Sequence, residues 1–218
     1  MSWVNLVIDR IQPTFENDTS GHDWYHVLRV LNTARYLQEK EGGDLEVIEL
    51  AALLHDISDH KFNGGKLDEG GKVAFQLLIE LGADTELAEK VCYIVDRVSY
   101  KGAHTPAEML GIEGQIVQDA DRLDAIGALG VARTFAYGGH KGQAMYDPKM
   151  PSVLHQNFEE YANAKSTTIN HFYEKLLLLT DRLNTASARH LGKQRHTFME
   201  DFLRQFYQEW NFNSKQNG

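Results

Sequence analysis

Apolar residues in this 218-residue chain recur at steps of three and four, the period of an α-helix, and almost nowhere alternate as a half-buried strand requires. Val27, Val30, Leu31, Ala34 and Leu37 form one stripe, Val47, Leu50, Ala51 and Leu54 a second, and Val73, Leu77, Leu78 and Leu81 a third. Only four prolines interrupt the pattern, and two of them, Pro148 and Pro151, share one loop. Asp44 is placed to cap a helix beginning at Leu45; Gly82 follows the third stripe, and Asp84 or Thr85 opens the next helix. The pattern predicts an all-α fold with helices near 2–15, 22–41, 45–57, 67–82, 85–98, 106–110, 113–137, 155–180 and 182–212. The segment 137–154 is the longest irregular stretch, of a kind that often carries function. Residues 155–212 read as a helical hairpin packed on the front portion, so one domain is expected over 1–218.

Charge and composition narrow the function classes. A formal net charge of −9 argues against a nucleic-acid polymer as partner, because a phosphate backbone needs a positive stripe. A small phosphate ligand remains compatible, since a metal and a few local Lys or Arg residues suffice to hold it. No run approaches the roughly 20 apolar residues of a membrane span, and the N-terminus lacks the basic and apolar regions of a secretory signal. The single Cys92 excludes an intramolecular disulfide and suits a reducing compartment, so the expected location is cytoplasmic.

Four potential metal ligands interrupt or follow the apolar stripes. His26 lies in G-H-D-W-Y-H-V-L-R-V, His55 and Asp56 end the helix E-L-A-A-L-L-H-D, and Asp121 lies in Q-D-A-D-R-L-D-A-I-G. Side chains so placed point inward, where imidazoles and carboxylates are costly unless paired or bound to a cation. Adjacent helical residues do not normally both face inward, so the His55-Asp56 pair implies a helix end that abuts a site. Two imidazoles and two carboxylates suit Mn²⁺, Mg²⁺, Fe²⁺, Co²⁺ or Ni²⁺ better than a closed structural zinc site.

The pattern H…HD…D, with its first His in H-D-x-x-H-x-x-R-V, resembles the HD superfamily of metal-dependent phosphohydrolases from His22 to about Asp147. The resemblance implies a compact helical bundle with its metal-site core at about 20–147, followed by a C-terminal helical hairpin at about 155–212. It implies His26, His55, Asp56 and Asp121 as ligands of one divalent cation. Dinuclear relatives place two further histidines between the HD pair and the last Asp, whereas this interval holds only His60 and His104, so one metal is expected. The pieces L-L-H-D-I-S-D, D-A-D-R-L-D-A-I-G-A and F-A-Y-G-G-H-K-G look closest to small bacterial nucleoside triphosphate pyrophosphohydrolases.

On that footing Asp59 resembles the acidic residue that acts on the attacking water, with Asp56 beside it. Lys61, Lys72, Arg122 and Lys141 are the favoured phosphate-binding cations, with Arg133 behind them. Lys72 follows a Gly-rich stretch in the first turns of a helix, where free N–H groups attract anions. His22 is placed to orient His26 or contact phosphate, and His104 and His140 to edge the cleft. Asp124 pairs Arg122 or caps a neighbouring helix. The expected activity is release of pyrophosphate from (deoxy)nucleoside triphosphates. The alternatives are a nucleoside 5′-monophosphatase and a non-catalytic nucleotide sensor, and a homodimer through the C-terminal helices is compatible with the pattern.

Overall fold

A computed structural model describes residues 2–15, 23–57, 70–98, 110–154 and 165–212, and all regular structure among them is helical. Helix α1 (Trp3–Phe15) buries Val4, Val7, Ile11 and Phe15, a stripe at three- and four-residue steps. Helix α2 (Trp24–Glu41) starts where the Asp23 carboxylate accepts the His26 N–H at 2.8 Å, and ends at Gly42, whose φ of 85° suits glycine. In α3 (Leu45–Leu54) the expected Asp44 cap accepts from Glu46 N at 3.0 Å and Val47 N at 3.3 Å. This helix is apolar on almost every side, so it forms the centre of the bundle, with α1, α2, α5 and α6 packed around it.

Helices α4 (Gly70–Glu80) and α5 (Thr85–Val98) make an antiparallel pair, turned at Gly82 with φ 93° and opened by Asp84, which accepts the Leu87 N–H at 2.9 Å. The helix expected over 113–137 is two helices, α6 (Ile112–Asp124) and α7 (Gly127–His140). Between them Ile126 is extended (φ −122°, ψ 167°) and Gly127 has φ 78°, a left-handed conformation that breaks the helical ladder. Added Cβ bulk at Gly127 would also meet Arg195 Cγ at 2.9 Å.

The C-terminal hairpin departs from expectation in both arms. The first is an irregular helical run: α8 (Thr168–His171), a π turn (Phe172–Leu176), α9 (Leu177–Leu179) and a 3₁₀ turn (Thr180–Arg182). The second, α10 (Ala186–Trp210), begins four residues later than the periodicity suggests. Asn184 and Thr185 are instead drawn to buried Asp119, whose carboxylate accepts both backbone N–H groups at 2.8 Å and the Thr185 hydroxyl at 2.9 Å. Helix α10 packs on α2, α6 and α7. Residues 141–154 are irregular, as expected, but tied down: Asn170 Nδ2 donates to the Met150 carbonyl at 2.9 Å, and Tyr146 packs among Phe206, Tyr207 and Trp210. No helix among the described residues is long and apolar enough to cross a membrane.

Candidate metal centre

Three elements deliver the four expected ligands to one point. His26 comes from the first turn of α2, His55 and Asp56 from the turn that ends α3, and Asp121 from the last turn of α6. The ligand atoms of His26, His55 and Asp56 all lie within 4.8 Å of one another. His26 Nε2 is 3.2 Å from His55 Nε2, and each is 3.3 Å from Asp56 Oδ2. Asp121 Oδ1 stands 3.7 Å from His26 Nε2 and 3.8 Å from His55 Nε2. A cation with bonds of about 2.1 Å needs neighbouring ligands about 3.0 Å apart in an octahedron and about 3.4 Å apart in a tetrahedron. The two imidazoles and Asp56 meet that spacing as they stand, and Asp121 is within a few tenths of an ångström of it from both imidazoles, outside the mutually close set of the other three.

Proton positions make the fit chemical as well as spatial. His26 Nδ1 is 2.7 Å from the Asp124 carboxylate and His55 Nδ1 is 2.8 Å from the Ala52 carbonyl. Both partners only accept, so each ring carries its proton on Nδ1 and turns an Nε2 lone pair inward. Two lone pairs and two carboxylate oxygens then face one point, and only a positive charge reconciles them. Without a metal that charge is a proton. Burial opposes charging His55, but the adjacent Asp56 carboxylate and then Asp121 outweigh it, and the ring is pushed up to about 9. Burial likewise opposes charging His26, and hydrogen bonds with Asp124 and Asp56 reverse the sign, leaving its pKa raised.

Asp124 neither pairs Arg122 nor caps a helix. It is buried, and besides His26 it accepts from Arg29 Nε at 2.7 Å, Arg29 Nη2 at 3.1 Å and Arg133 Nη1 at 2.6 Å. Burial would raise its pKa, but the His26 and Arg29 hydrogen bonds and the Arg133 charge hold it well below the usual carboxylate range. Sequence reasoning missed this role for Asp124 and for Arg29, and ranked Arg133 behind the favoured phosphate-binding cations. The signal was present in the spacing, because Asp121 and Asp124 share a face of α6 at i, i+3, as His26 and Arg29 do on α2. Arg122 is buried, and its Nη1 donates to the Arg182 carbonyl.

Lys72 is exposed near the start of α4, and His140 and Lys141 are exposed at the end of α7, with the Lys141 ammonium 5.6 Å from the Tyr137 ring centre. His22, Asp59, His60, Lys61 and His104 lie outside the described residues.

Residues 23–126, which include His26, His55, Asp56 and Asp121, match the HD domain family. The chain is 41% identical over 196 residues to the uncharacterized protein YpgQ of Bacillus subtilis, covering 89% of this chain and 87% of that one. A crystal structure described as an HD-superfamily hydrolase from Bacillus thuringiensis is 42% identical, covers 96% of this chain and 97% of its own, and has a TM-score of 0.74. The structure of B. subtilis YpgQ in complex with ADP gives 36% identity, coverage of 94% and 98%, and a TM-score of 0.73. With the His-Asp pair at the end of a central helix and the other two ligands brought to it from α2 and α6, this chain belongs to the HD superfamily of hydrolases.

Proposed function

We propose that the protein is a metal-dependent phosphohydrolase of nucleotides, and that its reaction is release of pyrophosphate from (deoxy)nucleoside triphosphates. The observation that carries the hydrolytic reading is the convergence of His26, His55, Asp56 and Asp121 with both Nε2 lone pairs facing one point. The nucleotide class is supported by the ADP held in the YpgQ structure. The choice of α–β cleavage follows the resemblance of L-L-H-D-I-S-D and D-A-D-R-L-D-A-I-G-A to small bacterial pyrophosphohydrolases.

His26, His55, Asp56 and Asp121 would hold one divalent cation, with Mn²⁺, Mg²⁺, Co²⁺, Ni²⁺ and Fe²⁺ all suited to this nitrogen and oxygen set. Such a cation polarises a phosphoryl oxygen and makes water acidic enough to supply a nucleophile near neutral pH. In this reading Asp59 takes the proton of the attacking water. Lys61, Lys72 and Lys141 neutralise the phosphate chain, and His22, His104 and His140 border it. Phosphoryl transfer rests mainly on positioning and charge neutralisation, so this modest inventory suffices.

The test is product analysis after incubating Mn²⁺-loaded protein with nucleoside mono-, di- and triphosphates. Pyrophosphate with a monophosphate from triphosphates is expected. Orthophosphate from monophosphates would replace this reading with a 5′-nucleotidase, and no product with any metal would favour a nucleotide sensor.

A further inference from the structure

We propose that Asp124, clamped between Arg29 and Arg133, is the positioning residue that fixes the His26 ring for cation binding, so that α7, which carries Arg133, sets the affinity of the metal centre. The inference rests on the metal reading of the four donors and is independent of which substrate is cut.

The two histidine ligands are held by different means. His55 is anchored locally, its Nδ1–H donating to the carbonyl of Ala52 one turn earlier. His26 is anchored across the fold instead, its Nδ1–H going to a side chain 98 residues away. A carboxylate is a precise orienter only if its own plane is fixed. Arg29 fixes it through two hydrogen bonds, Nε to Oδ1 at 2.7 Å and Nη2 to Oδ2 at 3.1 Å, the fork geometry in which guanidinium and carboxylate are coplanar. Arg133 then holds Oδ2 at 2.6 Å from another helix. Oδ2 therefore receives His26 and both arginines, while Oδ1 receives Arg29 alone.

Charge explains the second arginine. A buried carboxylate that faced only a neutral imidazole would be costly, and two guanidiniums more than offset it. The break between α6 and α7 supplies the geometry, because the chain reverses at Gly127 and returns Arg133 to Asp124, nine residues earlier. An amide cannot replace this carboxylate. It has one oxygen for three donor groups, so either the His26 N–H or an arginine loses its acceptor. With its NH₂ toward the ring, the imidazole proton is displaced to Nε2, where it occupies the lone pair the cation needs.

The test is Mn²⁺ binding to the metal-stripped full chain by equilibrium dialysis, paired with imidazole NMR of the Zn²⁺-loaded protein. The parent is expected to show a hydrogen-bonded proton on His26 Nδ1. D124N is expected to weaken Mn²⁺ binding by about 10- to 100-fold and to lose that resonance, in line with changes behind other metal-bound histidines. R29Q and R133Q are expected to lose several-fold in affinity while keeping it. A parent without a proton on His26 Nδ1, or a folded D124N chain that binds Mn²⁺ within about twofold of the parent, overturns the proposal. Should D124N fail to fold, R133Q decides: an unchanged affinity overturns the clamp, and a several-fold loss supports it. A parent that takes up no Mn²⁺ overturns the metal reading itself, whereas failure to release pyrophosphate bears only on the proposed reaction.

Discussion

In the proposed metal centre, single side chains divide the work between holding a cation and holding the holders. His55 belongs to the first group, and its Nε2 stands 3.2 Å from that of His26. His55→Ala is expected to abolish stoichiometric Mn²⁺ binding and, with it, hydrolysis; dialysis against Mn²⁺ checks the first and product analysis the second. A metal-independent binding module would instead keep its nucleotide affinity in the same variant. Asp119, two residues from Asp121, belongs to neither group. Its carboxylate organises Asn184 and Thr185 ahead of α10. Asp119→Ala leaves buried N–H and hydroxyl donors without an acceptor, and is expected to cost about 3 kcal/mol in chemical denaturation. Mn²⁺ affinity should be unchanged, because Asp119 and Asp121 leave α6 in different directions.

Among the elements, the break between α6 and α7 has the largest consequence. A single straight helix would carry Arg133 away from Asp124, whereas the turn at Ile126 and Gly127 folds α7 back to it. Gly127→Ala places a Cβ on a residue with φ 78°, 2.9 Å from Arg195 Cγ. It is expected to destabilise the fold by about 1–3 kcal/mol and to weaken Mn²⁺ binding through a displaced Arg133. A melting curve and a dialysis isotherm together check both, and a loss of stability with undiminished affinity would separate α7 from the metal centre. The sequence showed most of the other helices clearly, because Asp44, Asp84 and Gly82 mark ends by local hydrogen bonding and backbone freedom. It hid this break, because apolar periodicity runs through 113–137 and one glycine inside a helical pattern is ordinary.

At the scale of the whole molecule, pH dependence should reveal whether the cation is present. In the metal-free protein His55 is raised from 6.5 to about 9, so its stabilisation is complete below pH 6.5 and disappears as pH rises through about 9. His171 runs the other way: burial and then Lys175 push it down to about 3, so the folded state loses ground as pH falls below 6.5. Metal-free protein is therefore expected to melt highest near pH 6.5. Added Mn²⁺ should raise the melting temperature more at pH 8 than at pH 6, since it must displace the shared proton. Calorimetric scans from pH 5 to 9, with chelator and with Mn²⁺, check this, and a metal-induced shift that shrinks as pH rises would refute it. By itself the sequence determined the helical class, because a 3.6-residue period is a local property, and it singled out His26, His55, Asp56 and Asp121 as candidate ligands through the H…HD…D pattern that resembles the HD superfamily. Only the tertiary structure decided what stands behind them. Whether Asp124 meets Arg122, two residues away, or His26, Arg29 and Arg133 depends on where α2 and α7 cross α6, and no local pattern encodes that crossing.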